Sequence, residues 1–317
     1  MWRREKSVEG PERPTAADIE PLNRLFSSAF SDRYRRDGMP GVRVPHLNPD
    51  VWRFALDTAG KGAMVWRDGS GEIVAFNLAH LSGCEGWMGP LAVRPDRQGQ
   101  GLGRLVVSAG VEWLTSQSAR TIGLETMPRT LDNIGFYSRL GFLPGHLTVT
   151  LSRVPQSALS AACTRLSRDP GGEGARAECA ALLERVVPGV SFGREIRATA
   201  DLGLGDTTLY RRDGKLAAFA VWHSAPLAEG RPREDLRVLK LVASDVGAME
   251  AVLAGVEVAA EEEGNERVNV RCQSSYADAY GALVAAGWQA HWTDLRMSLS
   301  GFPEQPAAGV CFSNWEV

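Results

Sequence analysis

The spacing of hydrophobic residues changes several times along the first half of the chain. Between residues 15 and 30 they recur at steps of three and four, which predicts an amphipathic helix that begins at Thr15 and ends near Phe30. The pattern then predicts strands at 63–66, 72–81 and 87–93, a helix from 102, a strand at 121–126, a helix at 131–140 and a strand near 147–151. Strands interspersed with helices in this way are typical of an α/β fold.

The second half of the chain repeats this order after a break at residues 152–174. Residues 71–76 correspond to 214–219, and Gly141 corresponds to Gly287. A repeat this long points to duplication of a whole domain. We therefore expect a flexible N-terminal arm at 1–14, a first domain at 15–155, a linker at 156–170, a second domain at 171–300 and a C-terminal tail at 301–317.

Length and composition agree with two folded domains. The chain has 317 residues, 44% hydrophobic and 23% charged, with a net charge of -3, and a domain has roughly 150 residues. This charge argues against a nucleic-acid or anionic-membrane binder. The sequence has no run near the roughly 18 apolar residues of a membrane span and no apolar stretch behind its charged start, so we expect a cytoplasmic protein. The five cysteines form no Cys-x-x-Cys pair, so we expect reduced thiols and no metal site.

A glycine-rich loop between a predicted strand and a predicted helix carries the candidate chemistry. Gly99, Gly101 and Gly103 alternate at the start of the helix, where unpaired N–H groups and the helix dipole favour an anion such as a pyrophosphate. The spacing is not G-x-G-x-x-G, because residue 104 is Arg, and the lack of Lys in 91–120 excludes a Walker loop. A plain nucleotide-binding fold is therefore disfavoured.

Two motifs follow one another in this region. The first is Gln98-x-x-Gly101-x-Gly103, preceded by Leu91-Ala92-Val93-Arg94-Pro95, and the second is Asn133-Ile-Gly-Phe136-Tyr137-Ser-Arg-Leu-Gly141-Phe142. Together they resemble the acyl-CoA motifs of the GNAT N-acetyltransferase superfamily. The resemblance implies two tandem GNAT-like domains of the α/β (mixed α+β) class. Each would have a mixed, mostly antiparallel sheet with a central V-shaped splay, flanked by helices.

The resemblance also implies acetyl-CoA as the cosubstrate of the first domain. The strand edge would pair with the pantetheine arm, Asn133 would hydrogen-bond that arm, and backbone N–H groups of the loop would bind the pyrophosphate. The residues concerned are Leu91, Ala92 and Val93 on the strand, and Gln98, Gly99, Gln100, Gly101, Leu102, Gly103 and Arg104 in the loop. For Asn133, a structural place at a helix start remains an alternative.

Tyr137 and Glu125 are the catalytic candidates. Tyr137 would protonate the leaving thiolate as general acid, or serve as a core tyrosine. An alkylamine with a pKa of ~10 needs a base, and Glu125 could accept the proton directly or through water, or be a solvated edge carboxylate. Glu85 is a weaker candidate for the base. We expect His80 to be structural, because His223 repeats it in the second copy.

The second copy lacks the features that carry this chemistry. Residues 243–249 contain one glycine instead of three, and Asp245 would repel an incoming phosphate. Leu283, which cannot donate a proton, stands at the position of Tyr137. We therefore expect a catalytic first domain and a degenerate second domain.

The sequence thus predicts an acetyl-CoA-dependent N-acetyltransferase that acts directly on a primary amine. A non-catalytic acyl-CoA-binding or scaffold protein is the alternative from another class. A small-molecule amine is the favoured acceptor and a protein lysine is the alternative. The resemblance does not identify the acceptor, because family members differ in the acceptor that they use. Monomer and homodimer both remain open.

Overall fold

The computed structural model describes residues 8–156 and 163–314. Its helices are α1 (Ile19–Arg36), α2 (Pro49–Ala59), α3 (Leu102–Ser116), α4 (Leu131–Ser138), α5 (Glu173–Val186), α6 (Gly193–Asp201), α7 (Val246–Glu263) and α8 (Ala277–Ala285). Its strands are β1 (Val8–Glu12), β2 (Ala63–Asp68), β3 (Ile73–Ser82), β4 (Glu85–Val93), β5 (Thr121–Thr126), β6 (Phe142–Arg153), β7 (Cys163–Arg165), β8 (Gly205–Arg212), β9 (Lys215–His223), β10 (Asp235–Ala243), β11 (Arg267–Gln273), β12 (Gln289–Leu299) and β13 (Val310–Ser313). Of the helices in these ranges, none has the length and apolar character needed to cross a membrane.

The described strands belong to one mixed sheet. Its order is β1-β2-β3-β4-β5-β12-β6-β11-β10-β9-β8-β7, and β13 pairs with β10. Among these pairings, β4 with β5 and β10 with β11 are parallel and the others antiparallel. The order β-β-β-α-β-α-β occurs twice, from β2 to β6 and from β8 to β12. The predicted α/β class with two tandem units is confirmed; we call residues 8–156 the first unit and 163–314 the second unit.

The last strands of the two units are exchanged. β6 of the first unit pairs with β11, and β12 of the second unit pairs with β5, with Leu295 opposite Thr126. β6 and β12 also pair with each other. The sequence predicted one sheet for each domain, whereas this exchange produces a continuous sheet. Side chains of β12 therefore lie beside β5 of the first unit.

Three segments that the sequence placed outside the two domains contain strands. β1 lies in the predicted arm and pairs with β2, β7 lies in the predicted linker and pairs with β8, and β13 lies in the predicted tail and pairs with β10. These strands have five, three and four residues, too few for a periodicity to be recognised. The remaining parts of the arm, linker and tail, residues 1–7, 157–162 and 315–317, lie outside the described residues.

Helix α1 continues to Arg36 rather than ending near Phe30. The added residues are polar and carry no apolar repeat, so hydrophobic spacing does not detect them. Ion pairs at helical spacing join them, such as Arg36 with Asp32 at 2.7 Å, and pairs of this kind stabilise a helix.

Two buried histidines occupy matching places in the units. His80 Nδ1 lies 3.4 Å from the Thr58 hydroxyl and its Nε2 lies 3.1 Å from the Gly89 carbonyl. His223 Nε2 lies 3.0 Å from the Thr199 hydroxyl. Burial lowers the pKa of His80 to about 3 and that of His223 well below its usual range. Both rings are therefore neutral, which agrees with a structural role.

Candidate active site

The glycine loop connects β4 to α3. Gly99 and Gly101 have φ values of 75° and 84°, a region in which other residues are strained. Among the described residues, no side chain caps the start of α3, and its first turn contains no acidic residue. The start of this helix therefore presents unpaired N–H groups and a partial positive charge to an anion.

Side chains hold the loop in this conformation. Gln98 Nε2 donates to the Val93 carbonyl at 3.0 Å, and Gln98 Oε1 accepts from Arg36 at 3.1 Å. Gln100 Nε2 donates to the Asp96 carbonyl at 3.2 Å. The two glutamines therefore fix the loop with their side chains. The backbone N–H of Gln98 donates to the Pro95 carbonyl at 3.4 Å, so the N–H groups that point to a ligand begin after it.

The third glycine has a packing role. Gly103 lies in the first turn of α3, where a Cβ atom would lie 3.3 Å from the Phe136 ring. Its small size lets α3 approach α4, which carries the second motif. On either side of Gly103, Leu102 is buried in the core and Arg104 is exposed.

Strands β4 and β5 diverge beyond their first residues. They pair through Glu85–Met88 only. Leu91, Ala92 and Val93 pair with β3 on one side, and within the described ranges no strand pairs with them on the other. The resulting V leaves backbone groups that an extended amide-bearing chain can pair with.

A cavity of about 320 Å³ opens at this divergence. Phe26, Phe30 and Tyr34 of α1 line one side of it. The sequence candidates in its lining are Leu91, Glu125, Asn133 and Tyr137. The open edge of β4 therefore connects the glycine loop to a cavity that contains both catalytic candidates.

Tyr137 is buried in the wall of this cavity. It is 7% exposed, and its ring lies near those of Phe136 and Phe142, with centroids 5.1 and 6.2 Å away. Burial raises the pKa of Tyr137 to about 12, so the phenol keeps its proton at neutral pH and can donate it. Nearby, Asn133 Nδ2 lies 3.4 Å from the Thr126 hydroxyl at the end of β5.

Glu125 is held in an ion cluster. It accepts hydrogen bonds from the Thr148 hydroxyl at 2.6 Å and from Arg296 at 2.7 Å, and it pairs with Arg271. Burial raises the pKa of Glu125, but the attraction of the two arginines outweighs it and holds the pKa below its usual range. A general base needs an available lone pair and a pKa near the working pH. This geometry argues against the direct base role predicted from the sequence.

The second unit contributes much of the cavity wall, and the sequence singled out none of the residues concerned. They are Arg271, Trp292, Asp294, Arg296 and Ser313. The Trp292 ring lies 6.1 Å from that of Tyr34 in α1, and Asp294 pairs with Arg271 at 3.1 Å. The available sequence signal was a charged residue inside a strand, such as Arg296, where an apolar residue is usual.

In the second unit, the groove that corresponds to the open edge of β4 is filled by the chain itself. β10 pairs in parallel with β11 at residues 235–237, as β4 does with β5. Beyond that point β13 pairs with residues 240–243 of β10. The C-terminal strand therefore occupies the edge that stays open in the first unit.

The helix start of the second unit is also occupied. Asp245 accepts a hydrogen bond from the backbone N–H of Ala248 at 2.8 Å and pairs with Arg212 at 2.8 Å. Its carboxylate thus takes the place of an anion at the start of α7. The buried Leu283 stands at the position of Tyr137.

Comparison with known proteins gives one family and one curated relative. Residues 22–142 match the Acetyltransferase (GNAT) family. The relative is a mycothiol acetyltransferase of Kytococcus sedentarius, 28% identical over 159 residues. This match covers 45% of the chain and 53% of the relative, so the chain spans about half the length of the curated relative it matches.

Three solved structures share the fold over almost the whole chain. A putative acetyltransferase from Pyrococcus horikoshii is 15% identical, with a TM-score of 0.67 and coverage of 98% of this chain and 95% of that one. Saccharomyces cerevisiae N-myristoyltransferase with bound myristoyl-CoA is 10% identical, with a TM-score of 0.64 and coverage of 96% and 85%. A tandem GNAT protein from the clavulanic acid biosynthesis pathway is 14% identical, with a TM-score of 0.59 and coverage of 94% and 100%. At these identities the likeness concerns the fold alone, and it includes the tandem architecture.

Proposed function

Residues 22–142 match the Acetyltransferase (GNAT) family, and from that match we propose that the chain is an acetyl-CoA-dependent N-acetyltransferase whose first unit transfers the acetyl group directly to a primary amine. The continuous groove of the first unit is the observation that carries this proposal. It has an uncapped helix start at one end, the open edge of β4 in the middle and the cavity containing Tyr137 at the other end. The filled groove of the second unit supports a single acyl-CoA site per chain.

The first unit fits both polar parts of acetyl-CoA. The backbone N–H groups of residues 99–104 suit the pyrophosphate, because the glycines leave the start of α3 open, whereas the predicted contribution of the Gln98 N–H is taken by the Pro95 carbonyl. The edge at Leu91–Val93 suits the amides of the pantetheine arm, and Asn133 lies where that arm would enter the cavity. When bound, acetyl-CoA supplies an acetyl group activated as a thioester.

Tyr137 is placed to act as general acid. The amine nitrogen attacks the thioester carbon, the C–N bond forms and the C–S bond breaks. The leaving thiolate needs a proton, and the neutral phenol of Tyr137 supplies it from the cavity wall. Glu125, whose oxygens already accept three donors, keeps Arg271 and Arg296 in place beside this centre.

A small-molecule amine is the acceptor that the cavity favours. Its volume of about 320 Å³ and its walls from both units suit a small molecule better than a lysine on a folded protein. Its lining combines aromatic rings, such as those of Phe30 and Trp292, with the charged side chains of Asp294 and the arginines. The relative that is named a mycothiol acetyltransferase supports the same acceptor class.

An acceptor screen tests the proposed function. The purified chain is incubated with acetyl-CoA and single amines from a panel that includes alkylamines, amino acids and amino sugars, and free thiol and acetylated product are both measured. We expect product from at least one amine, with thiol and product in equal amounts. Binding of acetyl-CoA without product from any amine would support the alternative, a non-catalytic acyl-CoA-binding protein.

A further inference from the structure

Three hydrogen-bonded polar residues, two of them buried and one partly buried, have no role in the mechanism so far. They are Ser313 on β13, Glu85 on β4 and Lys240 on β10. The Ser313 hydroxyl donates to Glu85 Oε2 at 2.6 Å and accepts from Lys240 Nζ at 3.1 Å. Ser313 is 4% exposed and Lys240 is 1% exposed. The hydroxyl therefore joins a carboxylate of the first unit to an amine of the second.

Ser313 connects this trio to the reaction site. It lines the cavity that also contains Tyr137. The pairing of β13 with β10 sets Ser313 opposite Lys240, and the Ser313 carbonyl accepts a hydrogen bond from Arg296 at 3.3 Å. Backbone and side chain are thus both held, so the hydroxyl has a defined orientation between its two partners.

Other titratable groups face the trio from neighbouring elements. They are Arg296 on β12, Glu195 on α6, Cys311 on β13, Tyr276 before α8 and His80 on β3. Burial raises the pKa of Cys311 and of Tyr276, so the thiol and the phenol stay neutral. Burial also raises the pKa of Glu195, which accepts a hydrogen bond from Ser82 at 2.6 Å.

We propose that Ser313 takes the proton that the acceptor amine loses and passes its own hydroxyl proton to Glu85, while Lys240 holds the serine oxygen in place. This inference rests on the proposed function. At neutral pH the amine enters as an ammonium ion. Before it attacks, one of its protons moves to Ser313 Oγ and the Ser313 O–H proton moves to Glu85 Oε2, which frees the nitrogen lone pair. Tyr137 gives one proton to the thiolate, and the nitrogen loses its second proton to solvent once the C–N bond has formed. Solvent also takes the proton from Glu85 and returns one to Tyr137, which restores the resting state with one proton released. Ser313 and Glu85 supply the base function that Glu125, held by two arginines, does not.

The test compares Ser313→Ala with Ser82→Ala. Ser82 is a matched control, because it too donates to a glutamate, Glu195, at 2.6 Å but is absent from the cavity lining. Acetyl-CoA affinity is measured by calorimetry, and kcat/KM for an alkylamine is measured from pH 6.5 to 10. We expect Ser313→Ala to keep its affinity within about twofold and to lose about 100-fold in kcat/KM at pH 7. The loss should shrink towards pH 10, where the amine enters neutral.

Two further variants separate proton transfer from packing. Glu85→Gln, which keeps its size, should give the same pH-dependent loss as Ser313→Ala. Ser313→Thr, which keeps the hydroxyl, should retain most of the wild-type kcat/KM. A pH-independent loss, or an equal loss in Ser82→Ala, would overturn the relay in favour of a structural role.

Failure of the proposed function looks different from failure of the relay. An active wild type with unchanged kcat/KM in Ser313→Ala and Glu85→Gln would overturn the relay alone. A wild type that binds acetyl-CoA and acetylates no amine would overturn both.

Discussion

Replacement of Glu125 by glutamine separates a structural role of this carboxylate from a catalytic one. The change keeps the shape of the side chain and removes its charge. Glu125 neutralises Arg271 and Arg296, whose side chains are 9% and 3% exposed. After the replacement, Arg271 keeps Asp294 at 3.1 Å and Arg296 keeps Glu304 at 3.0 Å.

The expected cost follows from these contacts. Removal of one partner from a buried ion pair costs about 3–5 kcal/mol, and we expect about 3 kcal/mol because each arginine keeps a second carboxylate. At about 2–4 °C per kcal/mol, the unfolding midpoint should fall by roughly 6–12 °C. Because the folded pKa of Glu125 lies below its ordinary value, the stabilisation is present above the unfolded pKa of about 4.3 and is lost as the pH falls through the folded value. The midpoints of the two proteins should therefore converge in acid.

Thermal unfolding at pH 7 and at lower pH measures the effect of the replacement on stability, and kcat at pH 7 measures its effect on catalysis. Glu304→Gln is the control, because Glu304 also pairs with Arg296 but its side chain is 32% exposed; we expect a cost of about 1 kcal/mol or less. If Glu125→Gln unfolds within a degree of the wild type and loses about 100-fold in kcat, Glu125 is the base and the reasoning is refuted.

Three other substitutions test separate parts of the account. Tyr137→Phe should lower kcat about 100-fold and keep acetyl-CoA affinity, measured by calorimetry, within about twofold, because only the proton donor is lost; an unchanged kcat would remove Tyr137 from the mechanism. Trp292→Ala should raise the KM of the acceptor and leave the KM of acetyl-CoA unchanged in steady-state kinetics, since Trp292 lines the cavity and not the edge of β4. Asp245→Ala should lower the free energy of unfolding by about 1 kcal/mol through loss of the α7 cap. It should not create a second acetyl-CoA site, because β13 still fills the groove; two sites per chain would contradict this.

The local elements of the first unit could be predicted from the sequence because they depend on local spacing. The strand β5 was predicted with the bounds that the structure has, Thr121–Thr126. Gly99 and Gly101 adopt the left-handed conformation that favours glycine, and Gly141 and Gly287 do so at matching turns of the two units. Such features are set by a few neighbouring residues.

The walls of the active site could not be predicted, because they depend on which strands become neighbours. The exchange of β6 and β12 brings Arg296 beside Glu125, and nothing local to either residue indicates that contact. The role of the C-terminal tail could not be predicted for the same reason, because it depends on which strand the tail pairs with. β13 is too short to carry a recognisable pattern, yet it fills the groove of the second unit and delivers Ser313 to the cavity.

Isothermal titration of acetyl-CoA into the full chain tests the central claim most directly. Wild type is compared with Gly101→Glu, which places a carboxylate at the start of α3, and with Gly264→Glu, a control at another open glycine with positive φ in the second unit. The account predicts one site per chain in the wild type and in Gly264→Glu, and loss of binding in Gly101→Glu. Two sites in the wild type, or undiminished binding in Gly101→Glu, would contradict it.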